Sequence, residues 1–225
     1  MRFPIFLSMI LFLALLILFP FLFGALMVNS LAKLHLTPGT AFFLVFAIIL
    51  GGAINIPVKR IPRDDEVEDW RFGAYGFGGM FPQFLRQMRE TVIAVNLGGC
   101  VIPSILVLYE LRYLAVAGSD PLIAALVASA VTIFAGYRFA RPLPGIGIGM
   151  PALLMPLLAA GLAMLLAPDY APPVAFIAGV TGPLIGADLL HLKDISKYSI
   201  GVLSIGGAGT FDGIILSGIV AAYLA

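Results

Sequence analysis

The chain has 225 residues and a formal net charge of +1, with 61% of its residues hydrophobic and only 11% charged. A soluble domain of this length needs more charge to cover its surface, so the composition excludes an ordinary soluble protein. The near-zero net charge gives no basis for a nucleic-acid partner. We therefore expect the chain to lie among membrane lipids, with its single Cys100 as a packing residue.

The apolar residues form long blocks, as a bilayer core of about 30 Å requires of helices of roughly 20 residues. We predict an all-α fold, a polytopic transmembrane bundle of about seven helices, in which residues 1–225 form a single domain. The first block is interpreted as a retained helix, because its apolar run is too long for a signal peptide. The predicted spans run from Pro4 to Val28, Pro38 to Ile56, Thr91 to Leu111, Pro121 to Ala135, Gly145 to Ala167, Pro172 to Leu190 and Ser199 to Ala225.

The distribution of Lys and Arg orients these spans. If the connections alternate between the two sides of the bilayer, all but two of the 13 Lys and Arg residues fall on the side of the N-terminus. The two exceptions are Lys33 and Arg112. Because Lys and Arg concentrate in cytoplasmic connections, the N-terminus is predicted to be cytoplasmic and the C-terminus to lie outside, in the cell inner (plasma) membrane.

The connection at residues 57–90 is the long polar stretch of the sequence. It is predicted to be a cytoplasmic loop that ends in an interfacial helix from Phe81 to Glu90. Its acidic run, Asp64 to Asp69, could bind a cation, but the irregular spacing of the carboxylates favours a solvated loop. No His, Cys and carboxylate cluster has zinc spacing and no phosphate-binding glycine motif occurs, so we predict neither a metal nor a cofactor.

Several polar residues fall in or near the predicted spans. Asn55 and Asn96 each lie close to Gly and Pro, and they are interpreted as structural residues that form hydrogen bonds between helices, in preference to contacts with a substrate. Glu110 falls at the outer end of its span. There we expect water to reach it, and Arg112 could pair with it.

Asp188 and Asp212 are predicted to lie much deeper in the bilayer. Asp188 lies 16 residues beyond Pro172, a rise of about 24 Å into the core. Asp212 lies 13 residues before Ala225, about 20 Å below the outer face. Because consecutive helices usually neighbour each other, the two carboxyls are expected at a similar depth, toward the cytoplasmic side.

Two neighbouring carboxyls can catalyse hydrolysis of a peptide bond. They cannot both ionise cheaply, so they share one proton. The ionised carboxyl can take a proton from an attacking water, and the protonated one can donate to the peptide carbonyl. The leading hypothesis is an intramembrane aspartyl protease that cleaves a membrane-protein or peptide substrate with Asp188 and Asp212.

Two other interpretations stay open. In the first, the same aspartates bind a proton or cation in a transporter or channel, beside a helix that unwinds at Gly206 to Gly209. In the second, the aspartates are structural: Asp188 pairs with Lys193 or Lys197, and Asp212 caps the start of its helix.

Three short motifs surround these residues. Gly209-Thr210-Phe211-Asp212, followed by an apolar helix, resembles the second active-site motif of the GxGD intramembrane aspartyl proteases, the group of presenilin, signal peptide peptidase and the prepilin peptidases. Asp188-Leu189-Leu190 resembles the first motif, and Pro151-Ala152-Leu153 is similar to the Pro-Ala-Leu motif beside the active site. The resemblance implies catalytic roles for both aspartates, and it implies substrate binding at Pro151, Ala152, Leu153 and Gly209.

The chain departs from that family at named positions. Phe211 stands where the family has a glycine before the second Asp, and Ala187 stands where it has a tyrosine before the first. The Pro-Ala-Leu motif precedes both aspartates here and follows them in presenilins. More broadly, Gly186 to Leu190 and Ser204 to Gly213 resemble a prokaryotic membrane family known only as a domain of unknown function, which implies no activity.

Overall fold

A computed structural model describes residues 3–62, 90–143, 147–193 and 201–225. The acidic run from Asp64 to Asp69, most of the predicted interfacial helix and Lys197 lie outside the described residues. The predictions for those segments are therefore untested.

Helices make up most of the described chain, and each overlaps one of the seven predicted spans. Three are long and apolar enough to cross a membrane, at Leu97–Ala117, Ser119–Phe139 and Pro168–Leu189. The mostly helical, membrane-type fold is thus confirmed, while the number of crossings stays a prediction. The helices are α1 (Phe3–Ala32), α2 (Pro38–Gly51), α3 (Ile102–Ala117), α4 (Ser119–Phe139), α5 (Leu154–Leu166), α6 (Ala171–Thr181) and α7 (Gly213–Leu224).

Short helical turns extend three of these helices. A π-helical turn at Leu97–Val101 precedes α3, and a π-helix at Gly182–Leu189 continues α6. Single 3₁₀ turns precede α6, at Pro168–Tyr170, and α7, at Gly209–Phe211. The π-helix after α6 and the 3₁₀ turn before α7 lead directly to Asp188 and Asp212.

A small sheet departs from the all-α prediction. Strands β1 (Asn55–Pro62) and β2 (Glu90–Asn96) are antiparallel, and β2 is parallel to β5 (Gly201–Ile205), in the order β1-β2-β5. Two further strands, β3 (Arg141–Leu143) and β4 (Gly147–Gly149), form a separate antiparallel pair. The loop prediction is therefore wrong for residues 57–62, and three predicted spans have a strand at or near their start.

The physical reason lies in short apolar runs. Residues 91–95 read Thr-Val-Ile-Ala-Val, and residues 201–205 read Gly-Val-Leu-Ser-Ile. β-Branched residues favour strands, but an apolar run this short has no periodicity that distinguishes a strand from the start of a helix. When such a run is followed by a long apolar helix, the two together have the length and hydropathy of one continuous span. The strand is then wrongly predicted as part of the helix.

Helix α6 lies at the centre of the bundle. Every residue from Val174 to Val180 is buried, and α6 packs against α4, α5 and α7. Small residues permit these close contacts: Gly179 lies against Gly218 of α7, and Gly182 lies against Gly136 of α4. This packing fixes the end of α6 that carries Asp188.

Candidate active site

Asp188 lies near the end of the π-helix that continues α6. Pro183 at the start of this segment lacks a backbone N–H, which interrupts the regular α-helical hydrogen bonding. Gly186 lies so close to α4 that a Cβ there would overlap the carbonyl oxygen of Ile133. The segment that carries Asp188 is thus held directly against the α4 backbone.

Asp212 is the N-cap of α7. Its Oδ1 accepts a hydrogen bond from the Ile214 N–H at 3.0 Å, and its Oδ2 accepts from the Ala208 N–H at 3.3 Å. The chain turns between β5 and α7 at Gly206 and Gly209, which have φ of 71° and 60°. Only glycine adopts such angles at little cost. The sequence predicted a helix that unwinds at these glycines, whereas in the structure a strand precedes them and the helix follows them.

The structure brings the two aspartates together. Both line one cavity of about 630 Å³, and Asp212 is close enough to act electrostatically on Asp188. Both are partly buried, and both also act on the buried Cys100 thiol. Two carboxyls that interact in this way resist simultaneous ionisation.

The walls of the cavity come from β4, β5 and α7. Residues Val202 to Ile205 form one wall, and Ile148 to Met150 form another. In the described part of the chain, β5 is an edge strand of its sheet. The backbone of an edge strand offers unpaired hydrogen-bonding groups, and here it borders the two carboxyls.

The predicted substrate-binding residues divide between the cavity and other places. Ala152 lines the cavity, whereas the side chain of Leu153 is 66% exposed, and neither it nor Pro151 forms part of the wall. Gly209 also lies outside the wall, because it packs against Gly52, whose Cα would be 2.9 Å from an added Cβ.

Asn55 and Asn96 form one hydrogen-bonded network. Asn96 Nδ2 donates to Asn55 Oδ1 at 3.0 Å and to the Gly52 carbonyl at 2.9 Å, and its Oδ1 accepts from the Gly99 N–H at 2.7 Å. Asn55 Oδ1 also accepts from Ser204 Oγ. These bonds join the three strands to two helix ends, rather than joining two helices as predicted, and they anchor β5 beside the cavity.

Several cavity residues were not predicted. Phe211 lines the cavity and stacks on Phe23 of α1, with ring centroids 5.4 Å apart. Ser204 and Ser217 also line it. Of these residues, only Phe211 could have been predicted from the sequence, because it adjoins Asp212. Ser204 and Ser217 are isolated serines in apolar segments, and nothing in the sequence distinguishes them.

A metal site is not formed by the described residues, which contain no group of three or more His, Cys, Asp or Glu close enough to hold an ion.

A family model described as "Protein of unknown function (DUF1614)" matches residues 49–224. This range includes the sheet, the cavity and both aspartates, but not α1. Comparison with curated proteins gives no match, and neither does comparison with solved structures. These findings do not bear on the resemblance to the GxGD proteases, which stays a prediction.

Proposed function

Since the chain belongs to the family described as "Protein of unknown function (DUF1614)", we propose its function from its own geometry: it is an intramembrane aspartyl endopeptidase. The observation that carries this proposal is the pair of carboxyls, Asp188 and Asp212, which line one cavity and interact electrostatically. An acidic pair is costly among apolar helices. Its presence therefore favours a function.

The depth of the pair supports cleavage inside the bilayer. Helix α7 has 12 residues, so it rises about 18 Å from Asp212 at its start. A bilayer core is about 30 Å thick. If the C-terminal end of α7 lies at the outer surface, Asp212 lies within the core and toward its cytoplasmic half.

The chemistry proposed is hydrolysis by one protonated and one ionised carboxyl. The ionised carboxyl takes a proton from water as the water oxygen bonds to the peptide carbonyl carbon, while the protonated carboxyl donates to the carbonyl oxygen. The resulting gem-diol collapses as the C–N bond breaks and the amine nitrogen receives a proton. The products are a carboxylic acid and an amine, and the pair again holds one proton.

The edge of β5 supports a way to present the substrate. A peptide bond within a helix is shielded by the surrounding turns, so cleavage requires an extended segment. An extended peptide can add to an exposed strand edge through main-chain hydrogen bonds. At Val202 to Ser204 such a peptide would run along the wall of the cavity that Asp188 and Asp212 also line. The substrate class proposed is a membrane-embedded protein or peptide.

The test uses the full chain with a transmembrane-helix reporter. Asp188→Asn and Asp212→Asn are each expected to abolish cleavage while protein levels stay normal, because one amide cannot replace the proton-transferring carboxyl. Asp169→Asn is the matched control, since Asp169 is an exposed carboxylate outside the cavity. Retained cleavage in either cavity variant would refute the endopeptidase.

A proton- or cation-coupled transporter or channel is the second candidate. The observation in its favour is the non-helical turn from Gly206 to Gly209 between β5 and α7, where two glycines have positive φ beside the carboxyls. Broken helices next to intramembrane carboxylates are typical of ion-binding sites in transporters. This candidate requires pH- or cation-dependent flux in proteoliposomes, and absence of flux together with reporter cleavage would exclude it.

A further inference from the structure

A second acidic group lies at the end of the bundle opposite the cavity. Glu110 of α3 is fully buried, with 0% of its surface exposed. Its Oε1 has no hydrogen-bond partner among the residues the structure describes, and its Oε2 lies 3.4 Å from Nδ1 of His35. The prediction that water reaches Glu110 is therefore wrong. The observed partner of Glu110 is His35, whereas the sequence had suggested Arg112. A buried carboxyl of this kind is costly unless it is neutralised.

His35 is held in place by three residues of one α3 turn. It lies between α1 and α2 with φ of 43°, a left-handed conformation that residues with a Cβ rarely adopt. The ring of Tyr113 stacks on its imidazole at 3.5 Å between centroids, and the Tyr109 hydroxyl donates to its carbonyl at 3.2 Å. With Glu110, these contacts fix a strained residue, which indicates a built site.

The other charged groups nearby are engaged elsewhere. Lys33, directly after α1, donates to the Tyr223 carbonyl of α7 at 2.7 Å and lies over the Tyr223 ring, and Arg112 of α3 is exposed. Neither of these groups is among those that act on Glu110. In the described part of the chain, His35 is the group that does so.

We propose that Glu110 and His35 form a proton-binding site that fastens the α1–α2 connection to α3. With one proton the pair is neutral overall, either as imidazolium and carboxylate or as imidazole and carboxylic acid. Loss of that proton leaves an unpaired negative charge in the bundle. Gain of a second proton neutralises the carboxylate and weakens its hydrogen bond to the ring. The site is independent of the proposed endopeptidase, since neither residue lines the cavity. Lys33, two residues before His35, bonds to Tyr223 at the C-terminal end of α7, whose other end carries Asp212.

The sign of the pH dependence follows from counting protons. In an unfolded chain a histidine releases its proton at about pH 6.5 and a glutamate at about pH 4.3. Above about pH 6.5 the folded pair holds one proton that the unfolded chain has released. Folding then binds a proton, so rising pH increases the unfolding equilibrium constant, by up to about tenfold per pH unit.

The test measures unfolding of the purified full chain in detergent by circular dichroism, at pH values from below 5 to above 8. The wild type is expected to lose stability above about pH 6.5. Glu110→Gln should lessen that loss by the contribution of one proton, because residue 110 no longer needs one, while Asp188 and Asp212 keep their own pH dependence in every variant. His35→Gln should steepen the loss between about pH 4.5 and about pH 6.5 relative to the wild type, because Glu110 alone must then bind a proton on folding.

Arg112→Gln is the control, and its pH profile should match the wild type, since Arg112 is exposed and does not act on Glu110. A Glu110→Gln profile as steep as the wild type above pH 6.5 would overturn the proposal. A His35→Gln profile identical to the wild type would also overturn it, so the test survives failure of one variant to fold. Neither outcome changes the expectation for reporter cleavage.

Discussion

Asp212 has two roles, because its side chain caps the start of α7 and also lines the cavity. The two roles separate in their substitutions. Asparagine is as good an N-cap as aspartate, and its side-chain oxygen can still accept from the Ile214 N–H. Alanine removes the acceptor.

We therefore expect Asp212→Asn to keep the stability of the folded chain, and Asp212→Ala to lower the free energy of unfolding by about 1 kcal/mol. Both variants should be inactive if Asp212 transfers a proton. The measurement is the unfolding of each variant beside its reporter cleavage. Equal destabilisation of the two would mean that the charge of Asp212, and not its cap, supports the fold.

Single residues also mark the limit of sequence prediction. Asp188 and Asp212 could be identified from the sequence because burying a carboxylate in a long apolar segment is energetically costly, which indicates a specific role. The surroundings of Glu110 and Asn55 could not, because their partners His35 and Ser204 are 75 and 149 residues away in the chain. Local sequence carries no information on such contacts. From the sequence alone, a glutamate near the predicted end of a span is expected to be exposed, although the folded chain buries it.

At the scale of elements, the long helices were predictable and the strands were not. Helices α3, α4 and α6 follow from apolar blocks of membrane length, although their ends differ from the predicted ones by several residues. Strand β5 is five residues long and is joined to α7 by glycines. The glycines indicated where the chain breaks, but the conformation before the break depends on pairing with β2, which tertiary structure decides.

Close packing of elements gives a prediction for Gly186. Its Cβ would overlap the Ile133 carbonyl of α4, so Gly186→Ala must push the π-helix and Asp188 away from α4. Strain of this kind costs about 1–3 kcal/mol. We expect reduced stability and reduced cleavage, measured by unfolding and by the reporter.

Gly161→Ala in α5 is the matched control. An added Cβ there meets nothing within 4 Å, and alanine is the better helix former. This variant should be as stable as the wild type or more so. If Gly186→Ala behaved like Gly161→Ala, the close approach of α4 to the π-helix would be contradicted.

At the scale of the whole molecule, the bundle has a different acidic site at each end. The cavity with its carboxyl pair adjoins the sheet, and the Glu110–His35 pair lies beside the α1–α2 connection, whose Lys33 bonds to the last turn of α7. Which end faces the cytoplasm rests on the Lys and Arg distribution, which predicts that the sheet end is cytoplasmic. That orientation decides which compartment supplies water to the cavity and protons to His35.

The orientation can be tested with single cysteines in a Cys100→Ala background, because Cys100 is the chain's one cysteine. Val58 on β1 is 66% exposed, and Asp169 in the turn before α6 is exposed at the other end. A membrane-impermeant maleimide is expected to label Asp169→Cys in intact cells and Val58→Cys only after permeabilisation.

The same experiment tests the number of crossings. Between Val58 and Asp169 the chain forms α3, α4 and α5, and three crossings put the two residues on opposite sides. Helix α5 has 13 residues, a rise of about 20 Å, which is short for a core of about 30 Å. Labelling of both cysteines from one side would mean that α5 does not cross. Asp188 and Asp212 would then need a different depth, and the endopeptidase proposal would lose its intramembrane site.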